Sequence, residues 1–376
     1  MHIAPFALEQ WQNLHAKQAK YNLADTCADC LTMEQLLSIG GASPAGQLQA
    51  MSALKLAYGE TQGSQQLRQL AAQRYTSVTA DGIVKMNGAA AANALVMFML
   101  LEPGDRIVTF HPTYQQFHAY PASLGAEIVL VPLRPENGFL PDLAELRRAA
   151  SEGTKLIVLN NPNNPTGTLL DRDMLEEIVS IARSCGAYIL CDEICMNLWP
   201  GERVRPAPSI ADLYERGIAT SSLSKALSLP ALRIGWIACA DRDIISECMK
   251  SRDYTTVSCG VLTDRLAAVA LIHYDHILAR SKQLLRSNIA VLQEWSAKEE
   301  AFSFIQPQGG TAALLKLHLP ERSESFCKTL LDETGVLLVP GSCFGLEGYA
   351  RIGCAGKTNV LRQGLTRISE YVHQRS

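Results

Sequence analysis

The stretch that decides the fold is Ser222-Leu-Ser-Lys225-Ala-Leu-Ser-Leu-Pro-Ala-Leu-Arg233-Ile-Gly235-Trp236, which follows an apolar run of β type. It places a hydroxyl, an amine and a guanidinium within twelve residues. An amine can hold an aldehyde only when it is deprotonated, and removal from water favours that state. A guanidinium offers a planar fork that suits a phosphate. A solvated lysine and a surface arginine are the ordinary alternative, but the leucines around Lys225 argue against it.

Outward from this stretch, short apolar runs alternate with longer helical ones from about Ile83 onward. The predicted strands are Ile83–Met86, Arg106–Phe110, Glu127–Val131, Lys155–Asn160, Ala187–Asp192, Ile218–Ser222 and Ile234–Cys239. Residues 171 to 185 have an apolar face at helical spacing, and Asp171 is a suitable N-cap. Continuous apolar strands that alternate with helices predict an α/β fold, with a mostly parallel central sheet sandwiched by helices.

The pattern changes after about Leu271. There it predicts a long helix, four short strands and a closing helix, at Leu278–Glu300, Phe302–Ile305, Ala312–Leu317, Val336–Val339, Tyr349–Gly353 and Thr358–Arg375. A chain of 376 residues is long enough for two cores. We therefore predict a large domain at 46–270 and a smaller α+β domain at 271–376. Residues 1–45 are expected to form an arm or to complete the small domain.

Composition and charge exclude several classes of partner. The formal net charge of −3 provides no basic field for nucleic acid and no polybasic patch for a membrane. The longest apolar stretch, Ala89 to Leu101, is interrupted by Asn93 and is shorter than the roughly 20 residues that span a bilayer. The first residues lack the charged and apolar regions of a signal peptide. We expect a cytoplasmic protein that acts on small molecules.

The cysteines do not indicate a metal site. Eleven are scattered along the chain, and reduced, mostly buried thiols are the default for a chain of this size. Cys27 and Cys30 have the spacing of a metal or redox pair. No second pair and no histidine with zinc-finger spacing accompany them. We therefore expect no metal.

Suggestive residues follow the predicted strands, at the edge where open parallel sheets bind ligands. Gly88 follows the first strand and opens an alanine-rich helix, whose N-terminal N–H groups suit an anion. An ordinary strand-to-helix turn explains it equally well. Asn161-Pro-Asn-Asn-Pro-Thr-Gly167 forms a rigid turn after the fourth strand, and Asp192 ends the fifth. A carboxylate that ends a buried strand needs a partner or a task.

Four of these motifs together resemble a known family. Asn164-Pro-Thr-Gly167, Asp192-Glu193, Ser222-x-Ser-Lys225 and Arg233-Ile-Gly235-Trp236 occur in the order and spacing of class I/II aminotransferases of pyridoxal-phosphate (PLP) fold type I. The similarity extends from about Tyr58 to the C-terminus. Each motif is weak alone, but their joint occurrence is specific. The resemblance implies PLP as cofactor and an amino acid as substrate.

The resemblance also implies roles for three central residues. Lys225 would hold PLP as a Schiff base and then move protons at the substrate Cα and at the cofactor carbon. Asp192 would pair with the pyridinium nitrogen of the cofactor. Asn164 would donate to the phenolic oxygen of the ring and would lie against the substrate.

Other positions match phosphate, ring and substrate contacts of the family. Phosphate binding would fall to the strand-to-helix turn and the lysine motif, at Gly88, Ala89, Ala90, Ser222 and Arg233. Tyr114 matches the aromatic side chain that stacks on the pyridine ring. Tyr58 matches a tyrosine that reaches the phosphate of a neighbouring subunit, which implies a homodimer with shared sites. Arg351 matches the arginine that clamps the substrate α-carboxylate.

The sequence departs from the family at two places. Three residues after Asp192 the family has a tyrosine that donates to the phenolic oxygen, whereas this chain has Cys195, a weak donor. The family's glycine-containing N-terminal loop is replaced by Asn22-Leu-Ala-Asp-Thr-Cys27. This loop and the lysine motif are similar to those of capreomycidine-synthase-like enzymes, which cyclise an arginine derivative, and of PLP-dependent arginine oxidases.

Three functions remain open on these residues. The first is transamination, in which an α-amino acid gives its amino group to a 2-oxo acid. The second is a PLP-dependent lyase, cyclase or oxidase that acts on an arginine-like amino acid, and Cys195 with the N-terminal loop keeps it open. The third is a non-catalytic PLP sensor fused to a DNA-binding domain, which the sequence disfavours because no segment reads as a basic DNA-binding unit.

Overall fold

The structure is a computed structural model that describes residues 2–201 and 207–375. The strands are β1 (Tyr21–Asn22), β2 (Ile83–Met86), β3 (Arg106–His111), β4 (Glu127–Pro132), β5 (Thr154–Asn160), β6 (Tyr188–Asp192), β7 (Gly217–Ser222), β8 (Gly235–Ala238), β9 (Phe302–Ile305), β10 (Ala312–Leu317), β11 (Val336–Leu337), β12 (Val339–Pro340) and β13 (Tyr349–Gly353).

The α-helices are α1 (Ala7–His15), α2 (Met33–Ser38), α3 (Pro44–Ser52), α4 (Gln65–Ala72), α5 (Ala89–Leu100), α6 (Gln116–Ser123), α7 (Leu143–Ala149), α8 (Arg172–Cys185), α9 (Ile210–Leu213), α10 (Arg242–Arg252), α11 (Val261–Ile272), α12 (Tyr274–Ser296), α13 (Ser323–Thr334) and α14 (Thr358–His373).

A seven-stranded sheet organises the larger part of the chain. Its order is β2-β8-β7-β6-β5-β3-β4, and only β8 runs against its neighbours. Successive side chains of a strand point to opposite faces. In β5, Ile157 accordingly packs into one apolar core with α4, α8 and α11, whereas Leu156 and Val158 pack into another with α5 and α10. The predicted α/β fold, with its sheet sandwiched by helices, is confirmed.

The seven predicted strands of this sheet are all present, with ends that differ by at most one residue. The predicted helix at 171–185 is α8, and the side chain of Asp171 caps it by accepting a hydrogen bond from the Met174 N–H group. These predictions succeed because the central strands are buried on both faces, so their sequences are largely apolar, as in β5 and β6.

A four-stranded antiparallel sheet, β12-β13-β10-β9, lies in the C-terminal part of the chain. The predicted single strand Val336–Val339 is wrong. The segment divides into β11, which pairs with β1, and β12, which pairs with β13, and the chain changes partner at Leu338. The Leu338 carbonyl instead accepts a hydrogen bond from Trp11 Nε1 at 2.8 Å.

The two ends of the chain share one apolar core. Leu8, Trp11 and Leu23 pack with side chains of α12, α13 and α14. The helix predicted at Leu278–Glu300 is α12, which begins and ends four residues earlier. Its first turn joins the core beneath the seven-stranded sheet, and its later turns join the core of the C-terminal part. The domain boundaries at residues 45 and 270 stay predictions, and residues 1 and 376 lie outside the described residues.

Within the described ranges, no helix is both long enough and apolar enough to cross a membrane.

Candidate active site

A cavity of about 340 Å³ lies where the carboxyl ends of the parallel strands meet β10, β13 and the N-terminal segment. Eight of the predicted site residues line it, namely Ala89, Ala90, Tyr114, Asn164, Asp192, Lys225, Arg233 and Arg351. They come from sequence positions up to 262 residues apart (from 89 to 351), so the fold brings together what the motifs only suggested. Thr26, Cys27 and the helix α1 close the remaining side.

Asp192 is a buried carboxylate with a defined orientation. It ends β6, and one carboxylate oxygen accepts from Asn93 Nδ2 at 2.7 Å while the other accepts from the Ile194 N–H group at 3.0 Å. Asn93 Oδ1 accepts a hydrogen bond from the Thr220 hydroxyl, which leaves the amide nitrogen to face Asp192. Burial raises the pKa of Asp192 to about 6, against the opposing effect of these donors. At neutral pH the site therefore holds an anion at the foot of the cavity.

The amine of Lys225 lies in the cavity and is held by the N-terminal segment. Its Nζ donates to Thr26 Oγ1 at 2.9 Å and lies 3.4 Å from Cys27 Sγ. Neither partner belongs to a motif of the family, and both are about 200 positions away along the chain. Burial raises the pKa of the Cys27 thiol, so Cys27 is a neutral neighbour of the amine.

Asn164 and Arg351 are joined across the two parts of the chain. Arg351 Nη1 donates to Asn164 Oδ1 at 3.0 Å, which leaves the Asn164 amide nitrogen free to donate elsewhere. Arg351 Nη2 donates to the Ala24 carbonyl at 3.0 Å. The arginine is fully buried, and burial lowers its pKa to about 10, so it is still a cation at neutral pH. Its Nη1 and Nη2 each carry a second N–H group beyond these two bonds, so donors remain for an anion.

An anion cradle lies at the start of α5. The helix begins at Ala89 with no capping side chain, so its first N–H groups are available to a ligand. Gly88 has φ 88°, and Arg233 Nη2 lies 2.7 Å from the position that a Cβ would take there. The positive φ angle and the close approach of Arg233 therefore both require a glycine at position 88. The guanidinium and the helix N-terminus converge on one place, as a phosphate site needs.

Three of the predicted residues do not line the cavity. Gly88 lies beneath the cradle. Ser222 is buried behind the lysine, where its hydroxyl accepts from the Ser224 N–H group at 3.1 Å, and Ser224 is the serine that faces the cavity. Tyr58 is 85% exposed and lies away from the cavity of its own chain.

The side chain of Tyr114 lies over the cavity beside α1. Its ring centroid is 4.9 Å from that of Phe6, which tilts by 51° against it. Burial raises the pKa of Tyr114, and the nearby Glu9 carboxylate adds to the effect. Glu9 and Gln12 project from α1 into the cavity lining.

Cys195 lies in the cavity where the family has a tyrosine. Its Sγ is 3.9 Å from Thr311 Oγ1, and burial raises its pKa to about 11. It is therefore a neutral thiol and a poor hydrogen-bond donor. Asn164 is left as the stronger donor on this side of the cavity.

Sequence reasoning missed Glu9, Gln12, Asn93 and Ser224, and it named Thr26 and Cys27 only as part of the N-terminal loop, without a contact to Lys225. A signal existed for Asn93, because it is a polar residue inside an otherwise apolar helix and such a residue needs a buried partner. Glu9 and Gln12 had no local signal. They reach the cavity only through tertiary packing.

A comparison with known proteins decides the family. The family model "Aminotransferase class I and II" matches residues 32–368. The chain belongs to this aminotransferase family. Its members depend on PLP, and this chain is accordingly a PLP-dependent enzyme of the aminotransferase superfamily.

Relatives of this aminotransferase-family chain span nearly its whole length. It is 32% identical to a capreomycidine synthase from Streptomyces vinaceus over 364 residues, which cover 96% of this chain and 92% of the relative. A solved PLP-dependent aminotransferase from Streptococcus suis 89-1591 is 40% identical, with a TM-score of 0.96 and coverage of 100% and 99%. The solved PLP-dependent cyclase OrfR is 25% identical, with a TM-score of 0.91 and coverage of 100% and 99%.

The residues of this aminotransferase-family chain fit PLP. A buried carboxylate faces the cavity from one side, an uncapped helix N-terminus and a guanidinium form an anion cradle, and an amine lies in the same cavity. This set has the charges that an aldehyde-bearing, phosphorylated pyridine requires.

Proposed function

We propose that this chain is an aminotransferase, which moves the amino group of an α-amino acid to a 2-oxo acid with Lys225 as the cofactor-bearing residue. The observation that supports it most is the joint presence of Lys225, Asp192, Asn164 and Arg351 in one cavity. Arg351 binds the α-carboxylate, because it is a buried cation that lines the cavity and keeps a further N–H group on Nη1 and on Nη2. Bound PLP supplies an aldehyde and an electron-accepting ring.

The residues of the chain do the remaining work. Asp192 presents an anion to the ring nitrogen, and Asn93 keeps that carboxylate in place. Asn164, whose oxygen is occupied by Arg351, donates through its amide nitrogen to the phenolic oxygen. Arg233, Ser224 and the N–H groups of Ala89 and Ala90 hold the phosphate. These donors act in a partly closed cavity, where hydrogen bonds to charged groups are worth roughly 1.5–3 kcal/mol each.

The proton transfers fall to Lys225. Lys225 lines the same cavity as Asp192 and Arg351. The amine would accept the proton of the substrate Cα and would return it to the cofactor carbon that bears the nitrogen. Tyr114, above the cavity, covers the ring and limits the access of water.

A second function has support of its own, namely cyclisation, elimination or oxidation of an arginine-like amino acid. Glu9 carries the one negative charge among the described lining residues that the assignments above do not use, and a cationic side chain would complement it. Cys195 weakens donation to the phenolic oxygen. The names of two relatives, a capreomycidine synthase and a PLP-dependent cyclase, point in the same direction.

One experiment separates the two functions. The yellow holoenzyme is incubated with nitrogen-15-labelled amino acids of basic, aromatic and acidic type, with and without pyruvate. Transamination predicts that the label moves into alanine. Label that leaves as ammonia or stays in a cyclic product, with none in alanine, would support the second function. Borohydride reduction followed by peptide mapping shows whether Lys225 carries the cofactor, and Lys225→Ala is the control in which no reduced cofactor should be fixed to that peptide.

We also propose a homodimer in the cytoplasm. Tyr58 and Leu56 are 85% and 80% exposed, and a second copy of the chain would cover both side chains. A second copy that covers them would bring Tyr58 to the phosphate site of its neighbour.

A further inference from the structure

The N-terminal loop of residues 23–27 holds the catalytic lysine, and this contact is independent of the family's motifs. Lys225 Nζ donates to the Thr26 hydroxyl at 2.9 Å, and Cys27 Sγ is the next neighbour at 3.4 Å. The distance and the atom type favour the hydroxyl, because a neutral thiol is a weak acceptor. Thr26 is 9% exposed, so the contact is largely protected from water.

The loop is mounted rigidly on the strand that bears Arg351. The Gly353 N–H group donates to the Leu23 carbonyl at 2.7 Å, and Arg351 Nη2 donates to the Ala24 carbonyl. Asp25 Oδ1 accepts from the Cys27 N–H group at 2.8 Å and closes a local turn around Thr26. A Cβ at position 353 would meet the Asp25 carbonyl, so a glycine is needed for the loop to lie this close.

Thr26 itself has little freedom to move. A β-branched side chain has few χ1 rotamers, and the loop backbone is fixed on both sides of the residue. Its hydroxyl therefore stands at a constant place relative to Arg351, which binds the substrate carboxylate in the proposed function. A hydroxyl has two acceptor lone pairs and can accept from the lysine amine in both its neutral and its protonated state.

We propose that Thr26 is a positioning residue for Lys225, whose hydroxyl holds the amine in the direction from which it exchanges a proton with the substrate Cα. The proposal rests on the proposed function, because it assumes that Lys225 bears the cofactor and moves the proton. The amine must be free of the cofactor while it acts as base and acid. Thr26 gives it a fixed place during that interval, so the proton leaves and returns along one path.

The first test measures the exchange of the Cα hydrogen with deuterium in the holoenzyme. L-arginine, L-alanine and L-aspartate serve as probes, and the one that the wild type exchanges fastest is used for the variants. Thr26→Val removes the hydroxyl at nearly constant volume, and the exchange rate should fall at least ten-fold while KM stays within about two-fold. Thr26→Ser keeps the hydroxyl and should stay within about three-fold of the wild type.

Two further variants test whether the effect on exchange comes from the Thr26 hydroxyl, from the Cys27 thiol or from any change in the N-terminal segment. Cys27→Ala should lower the exchange rate less than Thr26→Val does. Cys30→Ala changes an exposed residue of the same segment outside the cavity lining and should match the wild type. A purely structural role of Thr26 predicts a different pattern, with a raised KM, since the loop also contacts Arg351. That pattern, or a Cys27→Ala effect larger than that of Thr26→Val, overturns the proposal.

A second test needs neither substrate nor turnover. In the full-length chain freed of cofactor with hydroxylamine, Lys225 is acylated by limiting acetic anhydride at pH 8, and its labelling relative to Lys316 is read by mass spectrometry. Loss of the hydroxyl releases the amine from its contact and should raise Lys225 labelling several-fold in Thr26→Val. Equal labelling in the wild type and Thr26→Val overturns the proposal. A wild type that carries no cofactor on Lys225 after borohydride reduction overturns the proposed function instead, so the two failures are distinguishable.

Discussion

At the scale of single residues, the two adjacent acids Asp192 and Glu193 have different environments. Asp192 is oriented by Asn93 and faces the cavity. Glu193 points behind it, where Oε1 accepts from Ser209 Oγ at 3.0 Å and from the Ile210 N–H group at 2.8 Å. Glu193 Oε2 has no partner within the described ranges. Burial raises the pKa of Glu193 to about 8, so this side chain is largely protonated at neutral pH.

This environment predicts a pH dependence of stability. The folded chain keeps a proton on Glu193 up to a pKa of about 8, whereas the unfolded chain releases it near its ordinary value of 4.5. The free energy of unfolding should therefore fall as pH rises through this range. Between pH 6.5 and 8.5, above the pKa of Asp192, Glu193 should account for roughly 2 kcal/mol of the loss.

Urea unfolding across this range measures the effect. Glu193→Gln keeps an acceptor for Ser209 but cannot ionise, so its stability should depend less on pH. The matched control is Glu215→Gln, which removes an exposed carboxylate whose pKa is lowered by its contact with Arg183. The control should keep the wild-type slope. A slope unchanged in Glu193→Gln would contradict the prediction.

At the scale of elements, a buried ion pair joins the edge strand β2 to α11. Lys85 Nζ lies 2.5 Å from Asp264 Oδ2, and the Lys85 side chain is 1% exposed. The Ser64 N–H group at the start of α4 donates to the same carboxylate at 3.2 Å. The Asp264 carboxylate thus connects the strand β2 to the N-terminal ends of α4 and α11. A buried charge that loses its partner is costly.

Asp264→Asn should therefore lower the free energy of unfolding by about 3–5 kcal/mol, because it leaves the Lys85 amine buried without a counter-charge. Chemical denaturation measures this loss. Glu176→Gln, which breaks the exposed i,i+4 pair with Arg172, is the control and should cost less than about 0.5 kcal/mol. Similar losses in the two variants would contradict this prediction, because they would show that breaking the buried Lys85–Asp264 pair costs no more than breaking an exposed pair.

The elements also show what a sequence can and cannot predict. The strand Ile83–Met86 was predictable because its apolar run is local, and the same holds for β9, β10 and β13. The division of Val336–Val339 was not predictable, since local pattern does not say which sheet a residue joins. The contact of Thr26 with Lys225 was not predictable for a related reason, because it joins positions 199 residues apart.

At the scale of the whole molecule, the site draws on both parts of the chain. The larger part supplies Asp192, Lys225 and the anion cradle, and the C-terminal part supplies Arg351. The motifs after Tyr58 predicted that these residues belong to one site, because they occur in the order and spacing that the family has. The closure of the cavity by the N-terminal segment could not be read in the same way, since that segment departs from the family.

The proposed dimer gives a prediction at this scale. Tyr58→Phe should lower the affinity for PLP, because the partner's phosphate site would lose a hydroxyl donor. Sedimentation measures the mass of the assembly, and absorbance titration measures the affinity for PLP. Mixing Tyr58→Phe with Lys225→Ala chains should give hybrids with one wild-type site and one site that bears both changes, whereas unshared sites would each bear one change. A monomer with unchanged PLP affinity in Tyr58→Phe would rule out shared sites.

The helix α1 has a consequence for how such proteins diverge. It covers the cavity with Glu9 and Gln12, and it is fastened to the rest of the chain by Trp11 Nε1 on the Leu338 carbonyl, the Ala7 N–H group on Gln115 and Gln12 Nε2 on the Ala24 carbonyl. Glu9 lines the cavity and takes part in none of these three bonds of the nine-residue helix. We expect exchange of Glu9 to change substrate preference while the anchoring of α1 stays intact, which makes this position the natural one to randomise in a directed-evolution library.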